Sequence, residues 1–299
     1  MSELVHAKLA DRGLLTLVGE ETRKFLQGLV SNDVEKVTPA HGIYAALLSP
    51  QGKFLHDFFI LEWRDGLILD CEAERRADLQ RRLTLYRLRS KVRIGEADAG
   101  LGVHVAFGDG AAARLGLPAE PGAGVAFAGG IAMVDPRLPG LGLRLVGEDA
   151  AIGEALQAAG FRSGEASEYH RLRVHLGVPD GSRDLPIEKA FLLENNFEEL
   201  NGVDFRKGCY VGQELTARTK YRGLVRKRLF RVDGDRSLPP AGTPVMAGDK
   251  EAGILYSALE RQGLALLRLE PVQEAADAGT PLTAGDARLV PVKPAYARF

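Results

Sequence analysis

Cysteine is scarce in this chain: Cys71 and Cys209 are the two present in 299 residues. They lie far apart and match neither a CxxC redox pair nor the paired spacing of a structural zinc site, which excludes a disulfide framework and a metal held by this chain alone. Long apolar runs are missing as well. Charges or glycines interrupt every hydrophobic stretch before the roughly 20 residues that a bilayer-spanning helix needs, so no membrane partner is expected. The opening MSELVHAKLADRG carries acids where a secretory signal needs a basic stretch and then an apolar one, and a cytoplasmic location is expected. Neither charge sign is in excess. With a formal net charge of -1, the whole-molecule field holds neither nucleic acid nor an anionic membrane, and any such contact must come from a local patch.

What is present suits a soluble α+β protein, since 45% hydrophobic residues in a chain of this length bury a sizeable core. Leu14 to Val18 reads as a strand, followed by a helix from near Glu20 with Phe25, Leu26, Leu29 and Val30 on one side. Ile43 to Leu48, Phe54 to Glu62 and Leu67 to Cys71 are separated by SPQGK and RDG turns, which predicts an antiparallel meander. The run from Ala73 predicts an amphipathic helix with Leu79, Leu83 and Tyr86 inward and Arg75, Arg76, Arg81 and Arg82 left for solvent. Gly108 to Gly130 reads as a Gly- and Ala-rich excursion with at most a short helix. Strands over Ile131 to Val134 and Leu141 to Val146, then helices over Glu148 to Ala159 and Glu165 to Leu176, make a second strand-and-helix unit. Beyond Val225, short apolar strands among PPAG, AGD, RQG and TAGD turns predict a small antiparallel barrel over 226–299.

The most informative stretch is FRKGCYVGQELTARTKYRG, Phe205 to Gly223. Gly208 and Gly212 free the backbone for positive φ or close approach, and Lys207, Arg206 and the N-terminus of a helix expected just beyond the cysteine favour the thiolate of Cys209. A lone cysteine also reads as a small buried hydrophobe, and spacing alone does not decide between the two.

KGCYVGQE resembles the signature of the YgfZ family, and Arg218 and Arg222-Gly223 fit the residues that follow it there. FLQGLVSND, LLSPQGKFLHDFFI, DPRLPGLGLR, RVHLGVP and LPIE resemble further family segments in family order, so the resemblance covers nearly the whole chain. It implies a fold similar to the glycine-cleavage T-protein: two intertwined ferredoxin-like units around a central pocket, here 1–225 with approximate interleaved halves 1–100 and 101–225, plus the C-terminal barrel. It implies tetrahydrofolate or a related reduced folate as ligand, and a role in assembly or repair of iron–sulfur clusters in client enzymes. Cys209 and Lys207 become the candidate catalytic groups, framed by Gly208, Tyr210, Gly212, Gln213, Glu214 and Arg218. A folate needs acceptors for its pterin protons, flat walls and cations for its glutamate tail. By motif position the candidates are Asp33, Asp57, His175, Glu188, Arg226 and Arg228.

Two departures from the T-protein stand out. Its segment of two glycines, an apolar pair and two aspartates reads GKFLHD here, replacing the first carboxylate by His56. Its RLEAG segment aligns with RVHLG, placing His175 where a glutamate grips the pterin. A neutral imidazole cannot match a bidentate carboxylate, so folate binding is expected to be weaker or differently posed. A maturation factor is therefore favoured over an aminomethyltransferase. One cysteine is not a full ligand set, so no resident metal is expected and a cluster could only be shared in transit with an assembly or client protein. A further alternative is a tRNA-contacting modification factor, resting on the basic groups Arg75 to Arg93 and Arg218 to Arg228; no aromatic ladder accompanies them.

Overall fold

In the computed structural model, which describes residues 3–223 and 225–299, the chain divides into two compact units. The first gathers the segment ending at Leu48, His56–Tyr169 and Leu200–Val211; the second gathers Ser49–Leu55, His170–Glu199 and Gly212–Phe299. In chain order the elements are β1 (Val5–Lys8), β2 (Arg12–Val18), α1 (Thr22–Gln27), β3 (Ile43–Leu48), β4 (Phe54–Trp63), β5 (Gly66–Glu72), α2 (Arg76–Arg87), β6 (Arg93–Glu96) and β7 (Leu101–Phe107). There follow α3 (Ala111–Arg114), β8 (Gly124–Phe127), β9 (Gly130–Val134), β10 (Leu143–Glu148), α4 (Asp149–Ala158), β11 (Arg162–Ser163), α5 (Ala166–His175), α6 (Gly181–Asp184) and α7 (Gln213–Tyr221). The chain closes with β12 (Lys227–Gly234), β13 (Pro244–Ala247), β14 (Lys250–Leu259), β15 (Gln262–Arg268), α8 (Leu269–Asp277), β16 (Leu282–Ala284) and β17 (Ala287–Val292).

The first unit holds two sheets, ordered β3-β4-β5-β2-β6 and β11-β1-β7-β10-β9-β8. The chain enters one through β1, crosses to the other for β2 to β6 and returns for β7 to β11, which is the interleaving expected of this fold class. All six residues of β3 are buried, as are Phe54 to Leu61 of β4, so this sheet is covered on both faces. The helix α2 covers one face by Leu79 and Leu83, and α4 packs Ile152 and Leu156 into the core of the other sheet with Leu143, Leu145 and Val134. In the second unit, six strands close a barrel in the order β12-β15-β14-β13-β16-β17. Alternation sends Phe230, Val232, Leu255, Ala265, Leu267 and Leu289 into its core, while Leu229, Leu264 and Leu266 pack outside it around Val174 of α5.

Several details depart from the sequence expectations. Helix α1 stops at Gln27, so Leu29 and Val30 are buried in the loop beyond, where Val30 bridges Leu47. Tyr86 is 38% exposed rather than inward. The arginines of α2 are largely paired: Arg75 with Glu72, Arg76 with Glu96, and Arg81 and Arg82 with Asp78. The Gly-rich excursion contains β8 as well as the short α3. Strand β1 has no counterpart among the expectations; it is four residues long and pairs with β7 and β11, residues far away in sequence.

Candidate functional site

Two of the motifs meet in the first unit. The loop after α1, GLVSND, is laced to the segment Leu200–Val211 by backbone and side-chain hydrogen bonds. Ser31 Oγ donates to Gly202 O at 2.6 Å and accepts from Ala46 N at 2.8 Å. Asn32 Nδ2 donates to Tyr44 O at 2.8 Å and Asn201 O at 2.7 Å, and its Oδ1 accepts from Asp33 N. Asp204 N donates to Ser31 O and Val211 N to Gly28 O. Lys36 adds an ion pair to Asp204 at 2.6 Å. Ser31 and Asn32 are buried, so these bonds satisfy polar groups that would otherwise be costly, and they hold the backbone leading to the cysteine in one course.

Cys209 is exposed on this platform and Cys71 is buried. Gly208 precedes it at φ +94, with open space where a Cβ would stand, so glycine is needed there for its dihedral rather than for room. Lys207, expected beside the thiol, is engaged with backbone carbonyls. Its ammonium donates to Gln27 O at 2.5 Å and Val30 O at 2.7 Å and lies 5.0 Å from the buried Tyr210 ring, so it caps the end of α1. Burial pulls its pKa down to about 8, against the opposing pull of Asp33 and Asp204. The helix expected just beyond the cysteine is α7, which begins at Gln213 after Gly212 at φ +81 and leaves Cys209 outside its first turn. In the second unit a Cβ on Gly52 of SPQGK would come within 3.0 Å of Gly212 O, so these two motif glycines pack closely. Glu214 and Arg218 are exposed on α7 and Gln213 is half-buried.

The expected folate contacts fall in both units. Asp33 is half-buried and accepts from Gln27 Nε2 at 2.8 Å and Glu35 N at 3.1 Å, capping the turn Val34–Lys36. Asp57 is buried and accepts from the Tyr44 hydroxyl at 2.7 Å. In the second unit His175, Glu188 and Arg226 are exposed, Glu188 at φ +58. Arg228 is engaged with Glu199 at 3.2 Å and Leu193 O at 2.8 Å and lies over the Phe299 ring, which removes it as a ready partner for a glutamate tail. The first unit also contains a cavity of about 250 Å³, lined by Asn32, Lys36, His41, Tyr44, Pro136 and Asn201 among others. Burial and the nearby Lys36 lower the pKa of His41. The cavity fits a folate in part: Tyr44 and Pro136 offer flat walls and Lys36 a cation, but none of the lining residues is a carboxylate.

His56 requires a further correction. Neighbouring residues on a strand face opposite ways, so His56 and Asp57 do not form a pair. While Asp57 meets Tyr44 of β3, His56 Nε2 meets Asp78 of α2 at 2.9 Å. Loss of a carboxylate at this position therefore says little about chemistry on the Asp57 side. Burial and Arg75 lower the His56 pKa to about 4 despite the hydrogen bond to Asp78. Between pH 6.5 and about 4 the unfolded chain takes up a proton that the folded chain refuses, so stability falls as pH falls through this window, by up to about 3 kcal/mol for this residue. Urea midpoints measured at pH 7 and pH 4.5 should separate clearly in the wild type, and by less in His56→Gln.

One charged network carries no clear mark in the sequence. Asp70 of β5, fully buried, accepts from Arg12 Nε and from Arg144 Nη1, both at 2.6 Å, and its carbonyl oxygen accepts from Arg12 Nη2. Asp135 accepts from Arg137 Nη2 at 2.8 Å, which also donates to the Tyr169 hydroxyl. Arg137 and Arg144 both lie over the Phe59 ring, at 4.9 and 3.9 Å. The DPRLPGLGLR segment thus supplies Asp135, Arg137 and Arg144 to a structural centre. The RVHLG segment is structural too: Arg173 Nη1 meets Asp184 at 2.6 Å, and Asp184 accepts from the Ser257 hydroxyl of the barrel.

Comparison with known proteins agrees with this arrangement. The family model described as CAF17, C-terminal beta-barrel domain, matches residues 226–299. The human iron-sulfur cluster assembly factor IBA57, mitochondrial, is 36% identical over 284 residues, covering 89% of this chain and 78% of that protein. The IBA57 homolog of Mycosarcoma maydis is 34% identical over 294 residues, covering 94% and 69%. Among solved structures, glycine cleavage system aminomethyltransferase T from Bartonella henselae matches with a TM-score of 0.76 at 13% identity over 99% of this chain and 87% of that one. That likeness establishes the T-protein fold and nothing of activity. The relatives also overturn the expected cytoplasmic location, since both proteins carry a mitochondrial designation in their names.

Proposed function

Because the chain belongs to the IBA57/CAF17 family, whose curated relatives are named iron–sulfur cluster assembly factors, we propose that it assists assembly or repair of iron–sulfur clusters in client enzymes through Cys209. The observation that carries this reading is the exposed thiol held on a hydrogen-bonded platform built from two family motifs. A thiolate there offers iron one ligand, and the rest must come from a partner, so the cluster is cargo shared in passage. Reduced folate is proposed as the small-molecule ligand. Tyr44 and Pro136 would wall its ring and Lys36 would meet its tail, and without a lining carboxylate the binding is weak.

Aminomethyl transfer has only the shared fold in its favour. Direct nucleic-acid binding is weakened by the pairing of Arg75, Arg76, Arg81 and Arg82 with nearby acids. The test is twofold. In cells lacking the native protein, this chain should restore iron–sulfur enzyme activity, and the purified protein should bind tetrahydrofolate anaerobically without supporting glycine cleavage. Robust glycine-cleavage turnover, or no restoration of client activity, would sink the proposal.

A further inference from the structure

From Leu79 to Gly95 the chain carries Arg81, Arg82, Arg87, Arg89, Lys91 and Arg93 and not a single acid. Arg81 and Arg82 are drawn to Asp78, and Lys91 to Glu20 at 2.5 Å. Among the described residues, Arg87, Arg89 and Arg93 have no carboxylate partner; Arg87 reaches only the carbonyl of Val92, at 3.5 Å. These cations surround an apolar tip. Helix α2 buries Leu79 and Leu83, yet Leu85 is 66% exposed, Tyr86 38% and Leu88 86%. Leu88 ends the helix at φ 46, ψ −108, in the left-handed region where glycine is the usual choice. One residue thus carries two penalties, a strained backbone and a large apolar side chain in water.

We propose that the end of α2, Leu85 to Arg89 with Arg93, is a peripheral docking point for an anionic lipid surface. Side chains standing this far clear of their surroundings need a matching recess in a protein partner, whereas the headgroup boundary accepts them in any orientation. The unpaired arginines supply attraction to anionic headgroups that the net charge of -1 does not. Nucleic acid fits less well, because Tyr86 alone could stack on a base and the two leucines would have no role.

The test is flotation of the full chain with vesicles of phosphatidylcholine alone and of phosphatidylcholine mixed with phosphatidylglycerol, at low and high salt. The wild type should float with the mixed vesicles at low salt and be released by high salt. The double variant Leu85→Ser/Leu88→Ser should bind at least about tenfold more weakly, and Arg89→Glu/Arg93→Glu should not bind. Leu88→Gly separates docking from folding: relief of the left-handed strain should keep or raise the melting temperature while vesicle binding drops. Absence of binding to the mixed vesicles, equal binding by Leu85→Ser/Leu88→Ser, or retention of single-stranded RNA with no vesicle binding would each overturn the proposal.

Discussion

Cys209→Ser is expected to abolish restoration of client-enzyme activity while leaving the fold and folate affinity unchanged. The side chain is exposed and the swap is nearly isosteric, so stability should move by no more than about 0.5 kcal/mol. Its backbone position depends on Gly208 and on the bonds from Ser31, Asn32 and Lys207, none of which involves the sulfur. What the hydroxyl cannot supply is a soft anionic ligand for iron.

The two thiols provide an internal comparison. Cys71 lies on β5 with its Sγ directed at Gly13 O, 3.5 Å away, and burial raises its pKa to about 12. At neutral pH only about one molecule in 10⁵ carries thiolate at that site, and the reagent cannot reach it without local opening. Alkylation of native protein should therefore modify Cys209 at least about a hundredfold faster than Cys71, the difference vanishing in denaturant. Equal native rates, or full client activity from Cys209→Ser, would return Cys209 to the role of an ordinary cysteine.

Motif order made the fold class legible and drew attention to Cys209, whose thiol is exposed, while the destinations of the flanking side chains were not legible. KGCYVGQE marks Cys209, but nothing in its spacing says that Lys207 reaches back to carbonyls contributed by residues some 180 positions earlier. The opposed facing of His56 and Asp57 was available in principle from strand alternation, since both lie within one apolar run. The meander and barrel strands were recognisable because turns bracket them. β1 and β7 were not, because VHAK is short and LGVHVAF carries a glycine and a histidine that blur its period, and their pairing is set by distant partners. Asp70 left the faintest trace: a single acid inside the apolar strand LILDC implies a buried charge in need of cations, but the sequence does not say which arginines.

Asp70→Ala should be among the most damaging substitutions in the first unit. Arg12 and Arg144 are nearly inaccessible, with side chains 4% and 2% exposed, and both direct a guanidinium nitrogen at the Asp70 carboxylate. Removing that carboxylate leaves two buried cations facing a void, and breaking a buried pair from one side typically costs about 3–5 kcal/mol. Against a total stability of roughly 5–15 kcal/mol for a domain, this is a large share. Asp135 is an acid close enough to Arg144 to compensate in part. Burial alone would raise its pKa, but Arg137 and Arg144 outweigh that and hold it ionised; it is already committed to Arg137 and stands 3.9 Å from Arg144 Nε. Asp70→Asn keeps the shape and one acceptor oxygen but not the charge, so it should fall between alanine and wild type. Urea unfolding followed by circular dichroism should place the midpoints in the order wild type, Asp70→Asn, Asp70→Ala. A loss below about 1 kcal/mol for Asp70→Ala would mean that water or a rearranged Asp135 satisfies both arginines, and that the centre contributed by DPRLPGLGLR does not hold the two sheets through this charge.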